Sequence, residues 1–342
     1  MKTPEVSIVM PVHNGAATLD EAVCSILDQT WRDFEFIIVD DGSTDGTASK
    51  LELYEKLDSR VKVYRQEKEG MIAALNRGCR RARGDYIGRM DADDISLPQR
   101  IERQLEFLEG RPEIGIVGTW ASRMDENGSI IGEWCPSPNP RVLKWEHFFG
   151  VCVIHPTVLM RREILQKLDF YKADAVHAED RDLWLRASAI TEFSNIPEIQ
   201  FKYRVWRKST SKLLRREYLE NAIKLVRLFI GELLKDNPPM EAVAGLRGMR
   251  LASLNEILLT ATLLERLYNA FVSENSLSSD ELKEISWNAA KKMGCLALQA
   301  SRFSKLEFLF LLKRGLQLNY RLLSPSAILK GLDHQRFLNF AR

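Results

Sequence analysis

Two short clusters of aspartates are the residues best able to do chemistry. Asp40 and Asp41 precede Gly42-Ser43, and Asp91-Ala92-Asp93-Asp94 adds three more carboxylates. Like charges packed this closely are costly unless something positive sits among them. A hard divalent cation, Mg2+ or Mn2+, is the usual answer. Mg2+ takes one or two protein carboxylates and completes its shell with water and phosphate oxygens. In an extended chain, side chains two apart share a side, so Asp91 and Asp93 are predicted to face one way. A D-x-D by itself is more often a solvated acidic turn, here one leading into a helix at Pro98. The second aspartate pair weighs against that reading. Glu179-Asp180 is a third acidic pair, which alone reads as an acid-rich helix N-terminus.

The elements needed to position these residues follow from the apolar pattern. Strands are predicted at Val6 to Val12, Phe34 to Val39, Val61 to Tyr64 and Tyr86 to Met90, with a strand-like run at Ile114 to Gly118. Between them lie helical patterns. One starts at a predicted capping box, Thr18-Leu19-Asp20-Glu21. Others follow Asp45, cover Met71 to Ala82, and run from Pro98 to Gly110. This rhythm predicts a doubly wound, mostly parallel α/β sheet. Ligands in such sheets bind at the carboxyl ends of the strands, near the point where strand order reverses. Those ends read Pro11-Val12-His13-Asn14-Gly15, Asp40-Asp41-Gly42-Ser43 and Asp91-Ala92-Asp93-Asp94.

Beyond Trp120 the rhythm breaks, with strands around Ile130 and Val158 and a strand or edge segment at Phe201 to Arg207. Past Ser211 the pattern turns helical, in the segments Leu213 to Leu234, Met240 to Phe271 and Asp280 to Ala300. The predicted division is 1–211 as the catalytic domain and 212–342 as an all-helical subdomain.

Composition narrows the classes. The 342 residues are 45% hydrophobic and 28% charged, as in soluble globular proteins. No CxxC pair occurs among the five cysteines, so reduced, buried thiols are expected rather than a disulfide framework or zinc site. There is no G-x-G-x-x-G after the first strand and no G-x-x-x-x-G-K-[ST], which disfavours dinucleotide dehydrogenases and P-loop NTPases. No signal peptide is visible. No apolar run approaches the roughly 20 residues that span a bilayer.

Taken together, several motifs resemble glycosyltransferase family 2, with its GT-A fold. They are Val6-Ser7-Ile8-Val9-Met10-Pro11-Val12-His13-Asn14, Ile38-Val39-Asp40-Asp41-Gly42-Ser43-Thr44-Asp45, Met90-Asp91-Ala92-Asp93-Asp94, His155-Pro156-Thr157 and Ala178-Glu179-Asp180-Arg181-Asp182-Leu183-Trp184. The resemblance covers about Pro4 to Thr210 and implies roles by position. Pro11, Val12, His13 and Asn14 would line the nucleoside pocket, and Asp41 would contact the base. Asp93 would ligate the metal, with Asp91 nearer the ribose and the metal shell. Asp180 would be the catalytic base. Tyr203-Arg204-Val205-Trp206 departs from the family's Tyr-Arg-Val-His, with Trp206 at the histidine position. Arg204, Arg207 or Lys208 would then face the diphosphate. His155, Glu179 and Trp184 are candidate acceptor contacts; His155 also reads as a turn residue and Trp184 as core.

The implied activity is inverting, Mn2+- or Mg2+-dependent transfer of a sugar from a nucleotide-diphosphate donor, UDP favoured. The acceptor would be a glycan or lipid-linked hydroxyl in envelope polysaccharide or lipopolysaccharide synthesis. A sugar nucleotidyltransferase would need a G-G-x-G-T-R-L-like loop after the first strand, which Pro11 to Gly15 does not supply. A catalytically degenerate scaffold is countered by the intact Asp41, Asp91, Asp93 and Asp180.

The C-terminal part carries a charge asymmetry. From Ile285 onward ten Lys and Arg face only Glu307 and Asp333, so the rest of a chain of net charge +2 is acidic. Phe308 to Leu312 is apolar on every side of a helix, which predicts burial against neighbours. The competing reading is contact with an anionic membrane surface through the basic ends. The expected location is cytoplasmic, with peripheral contact on the inner face of the cytoplasmic membrane. Basic residues interleaved with apolar ones, and no known motif, argue against nucleic acid.

Overall fold

The computed structural model describes residues 3–206 and 215–319. The chain divides into two compact units, Met1–Leu143 with Cys152–Ser209 and Lys144–Val151 with Thr210–Arg342.

The first unit is built on one mixed sheet. Its strands are β1 (Val6–Val12), β2 (Phe34–Asp41), β3 (Val61–Gln66), β4 (Tyr86–Arg89), β5 (Ile95–Ser96), β6 (Ile114–Met124), β7 (Ile130–Trp134), β8 (Leu159–Arg161) and β9 (Glu192–Arg204). The order is β3-β2-β1-β4-β8-β6-β9-β5, with β7 paired to β6. The first four strands run parallel, as do β6 and β9, whereas β8 is antiparallel to both β4 and β6. The helices are α1 (Leu19–Leu27), α2 (Thr47–Leu57), α3 (Met71–Arg81), α4 (Arg100–Glu109), α5 (Pro140–Glu146), whose residues from Lys144 onward belong to the second unit, α6 (Arg162–Lys167) and α7 (Glu179–Ala187).

Every residue of β1 and β2 is buried, because both faces of the sheet are covered. Alternation decides which core each side chain joins. Val6, Ile8, Met10, Phe34, Phe36 and Ile38 meet Leu19, Val23 and Ile26 of α1 and Ile101, Leu105 and Leu108 of α4. Val9, Ile37 and Val39 meet Ala74, Leu75 and Cys79 of α3 and Leu183, Trp184 and Ala187 of α7. The chain steps outward from β1 to β3, then returns to place β4 on the other side of β1. Strand order therefore reverses between β1 and β4, where an open α/β sheet forms its crevice.

Three local expectations are corrected. Thr18 occupies the N-cap of α1 but makes no cap bond. Its hydroxyl donates to the Ala92 carbonyl at 2.9 Å, and Glu21 pairs with Arg204. Tertiary partners outcompete the local box. β4 stops at Arg89, so Asp91 and Asp93 lie in a turn and strand alternation does not orient them. Cys24 and Cys135 are exposed; all five cysteines are free.

The second unit contains α8 (Arg215–Leu234), α9 (Met240–Leu246), α10 (Leu254–Glu274), α11 (Ser279–Ala300) and α12 (Lys305–Leu318). The apolar pattern from Met240 to Phe271 is split, because Gly248 takes a positive φ of 79° that ends α9 and turns the chain back. A Cβ on Gly245 would sit 2.3 Å from Thr260 Oγ1, so α9 and α10 approach closely. Ser278 and Glu281 form a reciprocal capping box that starts α11. The fully buried Trp145 centres this unit, its ring 4.9 Å from Phe149 and 5.3 Å from Phe271. Among the described residues α12 is not buried all around. It buries Leu311 and Gly315, while Leu306 is 74% and Leu309 58% exposed. No helix among the described residues is long and apolar enough to cross a membrane.

Trp145→Ala is expected to destabilise the helical unit by about 3–5 kcal/mol, as large-to-small changes at fully buried aromatics do. Urea unfolding of the full chain measures it. An unshifted midpoint would mean that other contacts hold this unit together.

Candidate functional site

Three loops converge at the carboxyl ends of β1, β2 and β4. Asn14, at φ 53°, turns the chain out of β1; asparagine tolerates this left-handed geometry. The Ser43 hydroxyl accepts its amide at 2.9 Å, and its side-chain oxygen accepts the Thr44 amide at 2.8 Å. His13 Nδ1 donates to the Asp41 carbonyl at 2.9 Å. The loops after β1 and β2 are thus tied at several points, with Pro11 and Val12 buried beneath them. Asp40 accepts the Ser43 amide at 3.0 Å and closes the turn. Asp41 accepts Gln66 Nε2 and the amides of Glu69 and Gly70 at 2.8–2.9 Å. It thereby shapes the loop that leads into α3. Gly42 has φ 71°, and a Cβ there would lie 2.8 Å from the Lys68 amide.

The acidic turn after β4 is the centre of the site. One carboxylate oxygen from each of Asp91, Asp93 and Asp94 lies within 4.8 Å of the others. One oxygen of each is held by a protein donor. Asp91 pairs with the buried Arg89 guanidinium. Asp93 Oδ2 accepts the Trp206 indole N–H at 2.7 Å. Asp94 Oδ1 accepts the Arg204 amide at 2.7 Å. The other oxygen of Asp94 is buried with no hydrogen-bond partner. Burial first, and the neighbouring aspartates next, push the Asp94 carboxyl well above the usual range. Burial also raises Asp91, with Arg89 opposing and Asp93 adding to it. Three carboxylates, one with an orphaned oxygen and only Asp91 paired directly with a guanidinium, suit a divalent cation. The fully buried Arg100 braces the turn, donating to the carbonyls of Arg89 at 3.2 Å and Pro156 at 3.1 Å.

The N-terminus of α7 lies near this pair. Arg89 and Asp91 both bear on the Glu179 carboxyl, which burial and Asp180 raise to about 7. Asp180 Oδ1 accepts the Arg181 amide at 2.7 Å. His155 is buried and shares a 2.8 Å hydrogen bond with the Tyr171 hydroxyl. Burial holds the imidazole well below its ordinary pKa, with Arg89 adding to the effect. Trp184 is 2% exposed and packs edge-on to His155 and Phe193.

Arg204 differs from the sequence expectation of a diphosphate contact. Its buried guanidinium donates to Glu21, to the Asp93 carbonyl at 2.8 Å and to the Glu126 carbonyl at 3.3 Å. It clamps the acidic turn because its reach is filled by protein acceptors. Arg207 and Lys208 lie outside the described residues. Sequence reasoning misses Arg89, which pairs with Asp91, and Tyr171, which bonds His155; it singles out Asp94 and Trp206 without giving them a role. The signal for Arg89 was a charge at the end of a buried strand, two positions from Asp91. Nothing local could have joined Tyr171 to His155.

The Glu179 carboxyl gives a pH-dependent stability. Unfolded, it titrates near 4.5; folded, at about 7. A raised folded pKa contributes stability that is fully present below pH 4.5 and lost as pH rises through about 7. Glu179→Gln cannot ionise, so it is expected to melt above the parent at pH 8, with the gap closing towards pH 4.5. Thermal melts of the metal-free chain across that window check this, and identical melts at pH 8 refute it.

Comparison with known proteins identifies the relatives of this chain. Residues 7–169 match the family described as Glycosyl transferase family 2. The chain is 35% identical over 210 residues to an uncharacterized glycosyltransferase of Methanocaldococcus jannaschii, covering 60% of this chain and 72% of the relative. It is 35% identical over 211 residues to the O-antigen biosynthesis glycosyltransferase WbnJ of Escherichia coli, covering 60% of this chain and 82% of the relative. Among solved structures, S. aureus TarS 1-349 in complex with UDP-GlcNAc aligns with a TM-score of 0.57 at 16% identity, over 93% of this chain and 91% of that one. The mannosyltransferase PcManGT of Pyrobaculum calidifontis, in complex with GDP-Man and Mn2+, aligns with a TM-score of 0.54 at 19% identity, over 97% and 88%. These two share the fold. With the acidic turn at the strand-order reversal and relatives matched over most of their length, this chain belongs to glycosyltransferase family 2.

Proposed function

We propose that this glycosyltransferase moves a sugar from a nucleoside-diphosphate donor, UDP-linked by preference, to a hydroxyl of a glycan or lipid-linked acceptor. Envelope polysaccharide or lipopolysaccharide synthesis is the setting proposed, by analogy with relatives such as WbnJ. The acidic turn at the switch point carries the reading, because three carboxylates with an orphaned buried oxygen fit a hard cation. A bound divalent cation would neutralise the charge growing on the departing diphosphate.

The chain's own residues do the rest. Pro11, Val12, His13 and Asn14 line the nucleoside side, and Asp41 organises the loop that meets the base. Asp93 and Asp91 would hold the cation, Asp91 with Arg89 beside it. Asp180 accepts the proton of the acceptor hydroxyl as its oxygen bonds to the anomeric carbon. The bond from that carbon to the diphosphate breaks in the same displacement, so configuration inverts. General-base assistance of this kind is worth about 10²- to 10⁴-fold.

Asp93→Asn is expected to abolish Mn2+-dependent transfer. Asp180→Asn is expected to lower kcat by about 10²-fold or more while donor binding is kept. A screen of UDP-, GDP- and dTDP-sugars with Mn2+, read by thermal stabilisation and donor hydrolysis, measures both. Near-parent turnover by the Asp180 variant would remove Asp180 from the mechanism.

The exposed Leu306, Leu309 and Phe310 lie on α12, which also carries Lys305 and Lys313. An apolar face with basic neighbours fits the surface of an anionic membrane. Co-sedimentation of the full chain with phosphatidylserine vesicles is expected at low salt and lost at high salt. Equal recovery with neutral vesicles, or none with either, would refute membrane contact.

A further inference from the structure

Residues 204 to 206 grip the acidic turn by two different means. The Arg204 amide and guanidinium bind the Asp94 carboxylate and the Asp93 carbonyl. The Val205 amide donates to the Met124 carbonyl at 2.8 Å, which prolongs the pairing of β9 with β6. The backbone leading into Trp206 is thereby fixed against the sheet. From there the indole N–H reaches Asp93 Oδ2 at 2.7 Å. An indole nitrogen is a donor only, so this side chain cannot itself ligate a cation. Its contribution must pass through Asp93.

A hydrogen bond to a carboxylate is charge-assisted and holds the carboxylate in one rotamer. Here it also occupies one of the two oxygens. Asp93 is left with Oδ1 for a cation and is discouraged from chelating with both oxygens. Mn2+ and Mg2+ suit single-oxygen carboxylates in octahedral shells, whereas Ca2+ readily takes both oxygens of one carboxylate. Neighbours that orient a ligand in this way typically set affinity by 10- to 100-fold.

We propose that Trp206 is a positioning residue that presents Asp93 through a single oxygen and so favours Mn2+ or Mg2+ over Ca2+ at the acidic turn. The proposal rests on the reading of that turn as a cation site.

The test uses the full chain and the metals alone. Mn2+ binding is followed through the electron paramagnetic resonance signal of the free ion, and Ca2+ by competition against it. Trp206→Phe keeps an aromatic ring and removes the donor. It is expected to weaken Mn2+ by about 10-fold and to narrow the preference for Mn2+ over Ca2+. Trp206→His keeps an N–H donor on a smaller ring and is expected to bind Mn2+ within a few-fold of the parent. If Trp206 served only to pack, the order would reverse, with the phenylalanine variant normal and the histidine variant impaired. That reversal, or an unchanged metal preference in the phenylalanine variant, overturns the proposal. A parent chain that binds no Mn2+ would instead overturn the cation site itself, and the proposal with it.

Discussion

Repulsion among three carboxylates in one partly buried turn is the constraint around which this unit is organised. Asp91, Asp93 and Asp94 approach within 4.8 Å, and burial raises both Asp91 and Asp94 above the ordinary carboxylate range. A turn of this kind would open if nothing held it. Here each aspartate is held by a different donor: a guanidinium from β4, an indole beyond β9 and a backbone amide at the end of β9. The donors come from strands that are far apart in sequence, so the turn has its shape only in the folded sheet.

Sheet order explains why these donors can meet. β4 lies beside β1, while β9 pairs with β6 two places beyond β4. The end of β9 thereby returns to the turn that follows β4. Arg204 then reaches Glu21 on α1, and Thr18 at the start of that helix reaches Ala92 within the turn. A local capping box is given up for these longer-range bonds. Satisfying buried polar groups of the site stabilises more than one additional helix cap, because an unpaired buried group is penalised more heavily than an exposed one.

Much of the architecture was legible from periodicity. The largely apolar run Val6 to Val12 predicts a buried strand and Phe34 to Val39 a second strand, and the structure buries every residue of both, Ser7 and Glu35 by bonding them to each other. Pattern alone misplaced ends and breaks. The Asp91-x-Asp93 pair looked like an extended segment, but β4 ends at Arg89 and a turn brings the carboxylates together. The run from Met240 to Phe271 looked like one helix, but Gly248 and the close approach at Gly245 divide it. In α12 an all-round apolar surface predicts burial, yet among the described residues it is buried only at Leu311 and Gly315. Hydrophobicity reports what a side chain prefers; it does not report which neighbours are present.

The sequence by itself determined the family, the doubly wound core and which strand ends bear acid. Those follow from residue types at short spacings, where chain connectivity does the placing. Only the tertiary structure decided what each acid touches. Arg204 reads in sequence as a free cation for a diphosphate, and the fold buries it as a clamp on the turn. Trp206 reads as a missing histidine, and the fold makes it a hydrogen-bond donor to Asp93, more than a hundred residues away along the chain. Contacts at such separations depend on strand order and register, and no local pattern of residues encodes the distance between two side chains that only the closed sheet brings together.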